Sequence, residues 1–210
     1  MALSRTQFYT LLTLLWGLFA FRSIGSAVGS TSHQACTDAA LIQLVLYELA
    51  VGGIVLAYLS RCGWRLSPAQ IGFSWEQTGA GFLLYAISYL LICLAWWLAI
   101  ALGGDPQPVI DLEAGERSLP AVLLASIVNG TYEELVLIAF VFKALERHDT
   151  QLIVGVSVLL RVVAHIYQGP VGAMSILAFG ILMALAYVRF RQIWPLIVAH
   201  IVADFVALTY

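Results

Sequence analysis

The sequence predicts an all-α fold, a polytopic bundle of transmembrane helices with about seven spans. Hydrophobic residues make up 61% of the 210 positions, charged residues make up only 10%, and the mean hydropathy is +0.93. A helix that crosses a bilayer needs about 20 predominantly apolar residues, and runs of that length recur along most of the chain. We therefore expect a single integral membrane domain over residues 1–210.

Polar breaks separate the candidate spans. Residues 61–72 include a proline and several polar side chains, which is typical of a short connector at the membrane surface. Residues 103–106 open the longest polar linker, and Pro120 then begins a helix where its missing amide hydrogen costs nothing. The predicted spans are residues 8–28, 38–60, 79–102, 119–142, 152–168, 172–189 and 193–210.

The distribution of Lys and Arg predicts the orientation, because cytoplasmic loops of membrane proteins carry the excess of positive charge. With seven spans only Arg117 falls on the outer side, whereas Arg22 and Arg161 lie inside spans. The N-terminus is therefore predicted to be cytoplasmic and the C-terminus outside, and the first span is interpreted as a membrane anchor rather than a signal peptide. The residues assigned to the cytoplasmic side are Arg5, Arg61, Arg65, Lys143, Arg147, Arg189 and Arg191.

Charge and cysteine content argue against several classes of function. The net charge is −2 and there is no basic face beyond what topology requires, so no nucleic-acid partner is expected. Cys36, Cys62 and Cys93 form no CxxC pair and predict neither a disulfide framework nor a zinc knuckle. The acidic linker at residues 103–118 is interpreted as a solvated loop.

Charged residues inside the spans are the strongest functional signal. An acid at the centre of a membrane helix costs roughly 2.5 to 3.5 kcal/mol on translocon scales, so such residues are expected to face a protein interior or a wet cavity. For Arg22 in the first span and Glu48 in the second, a structural pair is favoured over a role in binding substrate. Glu133 and Glu134 lie side by side in the fourth span and point about 100° apart, so they are expected to perform different tasks.

Two later spans carry ionisable pairs at helical spacing. Arg161 and His165 are four residues apart, as are His200 and Asp204, so each pair shares one helix face. Leaving all of these groups unpaired would cost an amount comparable to the whole stability of a domain, about 5 to 15 kcal/mol. We therefore predict that they converge with the two glutamates in one functional polar site, around a common water, which requires a tilted or kinked helix.

The ordered segments YEELVLIAF, RVVAHIYQG and HIVAD resemble the CPBP family of intramembrane proteases, which includes CAAX prenyl endopeptidases and bacteriocin-processing or immunity proteins. They are similar to that family's EExxxR, FxxxH and HxxxN/D motifs and imply a catalytic core at about residues 119–210. Two positions depart from the pattern, because Ile138 replaces the motif arginine and Arg161 replaces the motif phenylalanine. We hypothesise that Arg161 supplies the missing guanidinium and binds Glu134 in a bidentate manner.

The resemblance implies an endopeptidase that cleaves a membrane-associated peptide or protein. Glu133 would be the general base on water, assisted by His165 and supported by Glu134, while His200 and Asp204 would steady the tetrahedral intermediate. An ionised Asp204 cannot donate to an oxyanion, so it would be protonated or would orient His200 instead. A metal-free mechanism is favoured, although Glu133, His165, His200 and Asp204 also form an acceptable zinc shell, and no HExxH motif is present.

Other functions remain open at this point. A catalytically inactive immunity or scaffold protein would keep the same fold, and Ile138 gives that alternative some support. A transporter would also place charges at mid-membrane, but the sequence shows no inverted repeat. The expected partners are membrane lipid and a membrane-associated substrate of unknown identity, the expected location is a prokaryotic inner membrane, and the oligomeric state is left undetermined.

Overall fold

The protein is described here by a computed structural model, which covers residues 3–28, 36–104 and 116–209. Every regular element in those ranges is helical. The α-helices are α1 Arg5–Val28, α2 Asp38–Arg61, α3 Pro68–Ile71, α4 Trp75–Ala101, α5 Leu119–Glu134, α6 Val141–Ala144, α7 Thr150–His165, α8 Gly169–Phe190 and α9 Trp194–Thr209. A π-helical turn, Leu135–Phe140, joins α5 to α6, and a 3-10 turn, Ile166–Gln168, follows α7.

Polar residues fix where several helices begin. The hydroxyls of Thr37, Ser74 and Ser118 accept hydrogen bonds from backbone amides in the first turns of α2, α4 and α5, which otherwise lack partners. Ser67 forms a capping box with Gln70 at the start of α3. The linkers therefore end in capping residues that start each apolar run at a defined position.

The long helices are apolar enough to cross a membrane. Five stretches of the described chain meet the length and hydropathy expected of a span, and α9 is a shorter apolar helix. One of the five, Thr150–Phe190, contains both α7 and α8, which pack side by side: a side chain at Gly180 would lie 3.8 Å from the Val158 Cα atom. The all-helical membrane fold is thus confirmed with five to six candidate spans, while the count of seven and the cytoplasmic N-terminus stay predictions.

Contacts between helix termini define two ends of the bundle. At one end, Gln7 of α1 donates to the Tyr58 hydroxyl near the end of α2, over 2.8 Å, and the Ile193 amide before α9 donates to the Gln70 carbonyl of α3. At the other end, the Ser118 amide donates to Asp38 at the start of α2, over 2.7 Å. We call the first the basic end and the second the far end. Seven Lys and Arg residues lie at or next to helix termini at the basic end: Arg5, Arg61, Arg65, Lys143, Arg147, Arg189 and Arg191.

One predicted ion pair is wrong. Glu48 is 1% exposed and neither of its carboxylate oxygens has a hydrogen-bond partner among the described residues, whereas Arg22 lies on an exposed part of α1. The pairing failed because sequence position gives the depth of a charge in a helix but not the direction in which the helix turns it.

Candidate active site

The two glutamates lie at the end of α5, directly before the π-helical turn. The run from α5 to α6 is the most buried of the candidate spans, and Val136, Leu137, Ile138, Ala139 and Phe140 are all buried. A π-helical turn inserts an extra residue into the helical hydrogen-bond pattern, and such turns often occur at functional sites. The predicted convergence called for a local irregularity in a helix, and this turn is one, directly after the two glutamates.

Glu134 is the anchored acid of the pair. It is fully buried, and its Oε1 atom accepts from Arg161 Nη2 over 2.6 Å and from His200 Nδ1 over 2.7 Å. The predicted ion pair with Arg161 is present, although it uses one carboxylate oxygen, and the other, Oε2, has no hydrogen-bond partner among the described residues. Glu134 thus ties α5 to both α7 and α9.

Glu133 is held more loosely. Its Oε1 lies 3.8 Å from His165 Nε2, and its Oε2 lies 3.9 Å from His200 Nε2 and 3.6 Å from Arg161 Nη1. Each of these separations exceeds the length of a direct hydrogen bond, so Glu133 makes none of them directly. Glu133 is only 3% exposed, so any water that it binds is shielded from bulk solvent. The surroundings of the two acids therefore differ: Glu134 is hydrogen-bonded to two side chains, whereas Glu133 lies beyond hydrogen-bond distance of its neighbours.

His165 presents one ring nitrogen to Glu133. Its Nδ1 lies 2.9 Å from the Arg161 carbonyl oxygen, which accepts only from a protonated nitrogen, so Nδ1 carries the hydrogen. In the neutral ring Nε2 is then the free acceptor, and it faces Glu133. The imidazole is therefore oriented by the helix that carries it.

Asp204 approaches His200 from the same helix. Its Oδ1 lies 3.5 Å from His200 Nε2, and its Oδ2 accepts from Asn129 Nδ2 over 2.8 Å. The contact with Asn129 links α5 to α9 one turn away from Glu133. Asn129 was not among the predicted site residues, because a single sequence does not show which amide faces which acid.

Arg161 fills a space made by small and aromatic residues. Its guanidinium lies 5.1 Å from the centre of the Phe179 ring, which also meets His200 edge to face. Gly180 lets the arginine pass, since a Cβ atom there would lie 3.3 Å from the Arg161 Cδ atom. Ile138, which stands at the position of the motif arginine, is fully buried among apolar residues.

A close approach of α5 and α9 aligns the two helices. A Cβ atom on Gly130 would lie 2.9 Å from the backbone nitrogen of Ile201 and 3.2 Å from its Cα atom. Ile201 directly follows His200, and Gly130 directly follows Asn129. The missing side chain thus allows α9 to bring His200 within hydrogen-bond distance of Glu134.

A third buried acid comes from the first half of the chain. Glu48 on α2 is subject to the charges of Glu133, Asp204 and His200, so it lies within electrostatic range of the cluster. Close packing of α2 on α5 allows this, because a Cβ atom on Gly52 would lie 3.2 Å from the Tyr132 ring. From its sequence position Glu48 was expected to pair with Arg22, and its proximity to the site was not predicted.

The cluster does not fit a metal ion. Within the described ranges, no group of three or more His, Cys, Asp or Glu side chains is placed to hold one. The Arg161 guanidinium lies 3.6 Å from Glu133, and His200 directs Nδ1 to Glu134. The zinc shell considered from the sequence is therefore not formed by these side chains.

The six predicted site residues come together in this geometry: Glu133, Glu134, Arg161, His165, His200 and Asp204. Comparison with protein families adds an independent observation. The family described as type II CAAX prenyl endopeptidase Rce1-like matches residues 115–206, a segment that contains all six. No curated protein matches the chain, and no solved structure does. The resemblance to the CPBP proteases is confirmed over that segment.

Proposed function

We propose that this chain, which matches the type II CAAX prenyl endopeptidase Rce1-like family over residues 115–206, is a multi-pass membrane endopeptidase that hydrolyses a peptide bond with a water bound by Glu133. One observation carries the mechanism. Glu133 is buried, faces two imidazoles at 3.8 and 3.9 Å, and has no hydrogen-bond partner for Oε2 among the described residues. A buried carboxylate oxygen that has no hydrogen-bond partner and lies beside two imidazoles is suited to bind a water and act as its general base.

The proposed reaction uses Glu133 to move one proton. A water bound to the Glu133 carboxylate, beside His165, gives a proton to that carboxylate while its oxygen adds to the carbonyl carbon of the substrate. The carbon–nitrogen bond then breaks, and Glu133 returns the proton to the departing amine nitrogen. The products are a carboxylic acid and an amine, and Glu133 ends in its starting form.

His200 is the proposed partner of the oxyanion. Its Nδ1 is directed to Glu134, so Nε2 is the atom that faces Glu133 and the reacting carbonyl. Donation from Nε2 requires the doubly protonated ring, whose charge is balanced by Glu134 on one side and Asp204 on the other. An oxyanion donor of this kind is worth about 10² to 10³ in kcat. Asp204 then acts by orienting His200, not by donating.

A Glu133→Gln variant tests the proposal. We expect its cleavage of a quenched fluorescent peptide to fall by about 10² to 10⁴, because Gln cannot accept the proton of water. The peptides used would end in a farnesylated CAAX sequence, as the family description suggests, or in the same sequence without the lipid. Membrane proteomes of cells with the wild type and with the variant would then identify natural substrates.

Glu146→Gln is the matched control. Glu146 lies outside the candidate spans and accepts from Lys143 over 2.6 Å, a hydrogen bond that lowers the pKa of its carboxyl. We expect this variant to retain full activity. If Glu133→Gln cleaved the peptide at the wild-type rate, the assignment of Glu133 as the general base would be wrong.

A chelator tests the metal-free mechanism. We expect cleavage to persist after treatment with 1,10-phenanthroline or EDTA, because no group of three or more His, Cys, Asp or Glu side chains among the described residues is placed to hold a metal ion. Loss of activity that zinc restores would overturn this part of the proposal and leave the protease assignment intact.

A further inference from the structure

Glu48 is a buried acid that the proposed mechanism does not use. It is 1% exposed, and neither of its carboxylate oxygens has a hydrogen-bond partner among the described residues. It lies in the middle of α2, about 15 Å along the helix from Asp38. Buried polar groups are almost always hydrogen-bonded, so an acid without a partner inside an apolar helix is a candidate for binding a group that enters the site from outside the chain.

Packing on both sides of Glu48 places it against α5 and α9. One turn before it, Val45 belongs to a buried apolar cluster that also contains residues of α5 and packs against Phe205 of α9. One turn after it, a Cβ atom on Gly52 would lie 3.2 Å from the Tyr132 ring of α5. Positions three or four residues apart share one face of a helix, so Glu48 lies between these two contacts on the face of α2 that meets the site helices.

The same two contacts flank the polar cluster. Phe205 directly follows Asp204, and Tyr132 directly precedes Glu133. Glu48 is accordingly subject to the charges of Glu133 and Asp204. Glu133 is itself only 3% exposed, and its Oε2 atom also lacks a hydrogen-bond partner among the described residues. The unpartnered oxygens of Glu48 and Glu133 therefore belong to one buried region.

Charge balance indicates that Glu48 is a neutral acid. The other three acids of the cluster are matched by two cations, Arg161 and the doubly protonated His200 of the proposed mechanism. Tyr47 and Tyr132 also lie in electrostatic range of Glu48, and neither carries a positive charge. A fourth carboxylate would add a buried negative charge that these cations do not balance, which costs far more than burying a neutral carboxyl.

We propose that Glu48 is a substrate-binding residue of the active site, and that its neutral carboxyl donates one hydrogen bond to a peptide group of the substrate and accepts one from it. The inference rests on the proposed protease function and adds a residue outside the matched segment 115–206. A peptide group has one C=O acceptor and one N–H donor, which match the O–H and C=O of a neutral acid. The substrate chain is thereby held beside Glu133.

Two variants of similar size test these hydrogen bonds. Glu48→Gln keeps a donor and an acceptor in a neutral side chain, so its kcat/KM on the quenched peptide should fall by at most about fivefold. Glu48→Leu leaves the peptide group of the substrate unpaired, and kcat/KM should fall by about 10- to 100-fold. Wild-type kcat/KM in the Leu variant would overturn the assignment, and so would equal losses in the two variants.

Unfolding temperatures measured in detergent separate binding from folding. A Glu48→Leu variant that is at least as stable as the wild type and yet less active has lost a contact with substrate, which a purely structural role would not produce. Should the Leu variant fail to fold, Glu48→Met, which is also apolar and of similar length, takes its place in the same measurements.

Modified peptides test the contact itself. Backbone N-methylation of each residue next to the scissile bond, one at a time, removes one N–H donor from the substrate. At the position that pairs with Glu48, the methyl group should lower kcat/KM of the wild type by about tenfold and have little further effect on Glu48→Leu, whose contact is already lost. Equal losses in both proteins at every position would refute a contact between Glu48 and a peptide group.

Glu133→Gln distinguishes failure of this inference from failure of the proposed function. If the wild type exceeds Glu133→Gln on the unmodified peptide but the tests of Glu48 fail, the protease assignment stands and only the substrate-binding role is lost. If the wild type and Glu133→Gln are equally inactive on every peptide, the proposed function fails and the inference fails with it.

Discussion

At the scale of single residues, Arg161 balances the charge of the buried acids. Its guanidinium lies 2.6 Å from Glu134 and 3.6 Å from Glu133, and both acids are nearly inaccessible to solvent. Removing one partner of a buried ion pair leaves an uncompensated charge, which costs about 3 to 5 kcal/mol. We therefore expect Arg161→Ala to be strongly destabilised in thermal unfolding measured in detergent.

A double variant separates charge balance from packing. Arg161→Ala combined with Glu134→Gln removes both charges, so it should be more stable than Arg161→Ala alone. The exposed Arg147→Ala provides a control and should unfold like the wild type. If Arg161→Ala keeps wild-type stability and activity, the assigned role of this residue is wrong.

Glu48 is the reverse case, a buried acid without a partner among the described residues. Burying a polar group without a hydrogen bond costs about 1 to 3 kcal/mol, and an apolar side chain of similar size avoids that cost. We expect Glu48→Leu to raise the unfolding temperature, and Glu48→Gln, which remains polar, to raise it less. A lower unfolding temperature for the Leu variant would show that the carboxyl makes a favourable interaction in the folded protein.

The sequence could predict which side chains converge, but it could not predict the hydrogen-bond partners of each one. Glu133, His165 and His200 were identifiable because an ionisable group in an apolar run is costly unless it is buried with others. Their hydrogen bonds depend on helix rotation, which i and i+4 spacing leaves open between helices. This is why the hydrogen bond of Asn129 to Asp204 and the proximity of Glu48 to the site were found only in the structure, and why Arg22 was assigned a partner that it does not contact.

At the scale of helices, the predicted spans coincide with helices to within about one turn, because apolar length and capping residues determine helix ends. The π-helical turn was not predictable in the same way. Its residues, Leu135–Phe140, are uniformly apolar, and no glycine or proline marks the irregularity. Only the need to align the three site-bearing helices indicated that a local distortion was required.

The contact of α5 with α9 at Gly130 is a test of helix alignment. A methyl group there would lie 2.9 Å from backbone atoms of α9, which cannot move aside as a flexible side chain can. Gly130→Ala should cost about 1 to 3 kcal/mol through overpacking. It should also lower activity, because separation of the helices lengthens the distance from His200 to Glu134.

Gly155→Ala is the matched control for this effect. Gly155 also lies within a helix, α7, but a Cβ atom there meets nothing within 4 Å. Alanine should therefore be neutral or stabilise that helix by roughly 1 kcal/mol. Equal losses of activity in the two variants would show that the close approach at Gly130 is not what aligns the site.

At the scale of the whole molecule, the segment matched by the family depends on the first half of the chain for its packing. The Trp16 indole donates to the Leu160 carbonyl over 2.9 Å, and the Tyr132 hydroxyl donates to the Leu15 carbonyl over 2.6 Å. Both bonds join α1 to site-bearing helices next to Arg161 and Glu133. α4 packs along α8 and α9, where a Cβ atom on Gly81 would lie 2.6 Å from Val198.

These contacts predict the behaviour of a divided chain. Residues 116–210 expressed alone should reach the membrane but lack activity and be degraded, because α5, α7 and α9 would lose the helices that cover them. Membrane helices can insert separately and then associate, so co-expression with residues 1–104 should restore a complex that copurifies and cleaves peptide. The variant Trp16→Ala in the first fragment should weaken copurification, whereas Tyr9→Ala, at a largely exposed position, should not. Wild-type activity in the isolated second fragment would show that the first half of the chain is dispensable for the site.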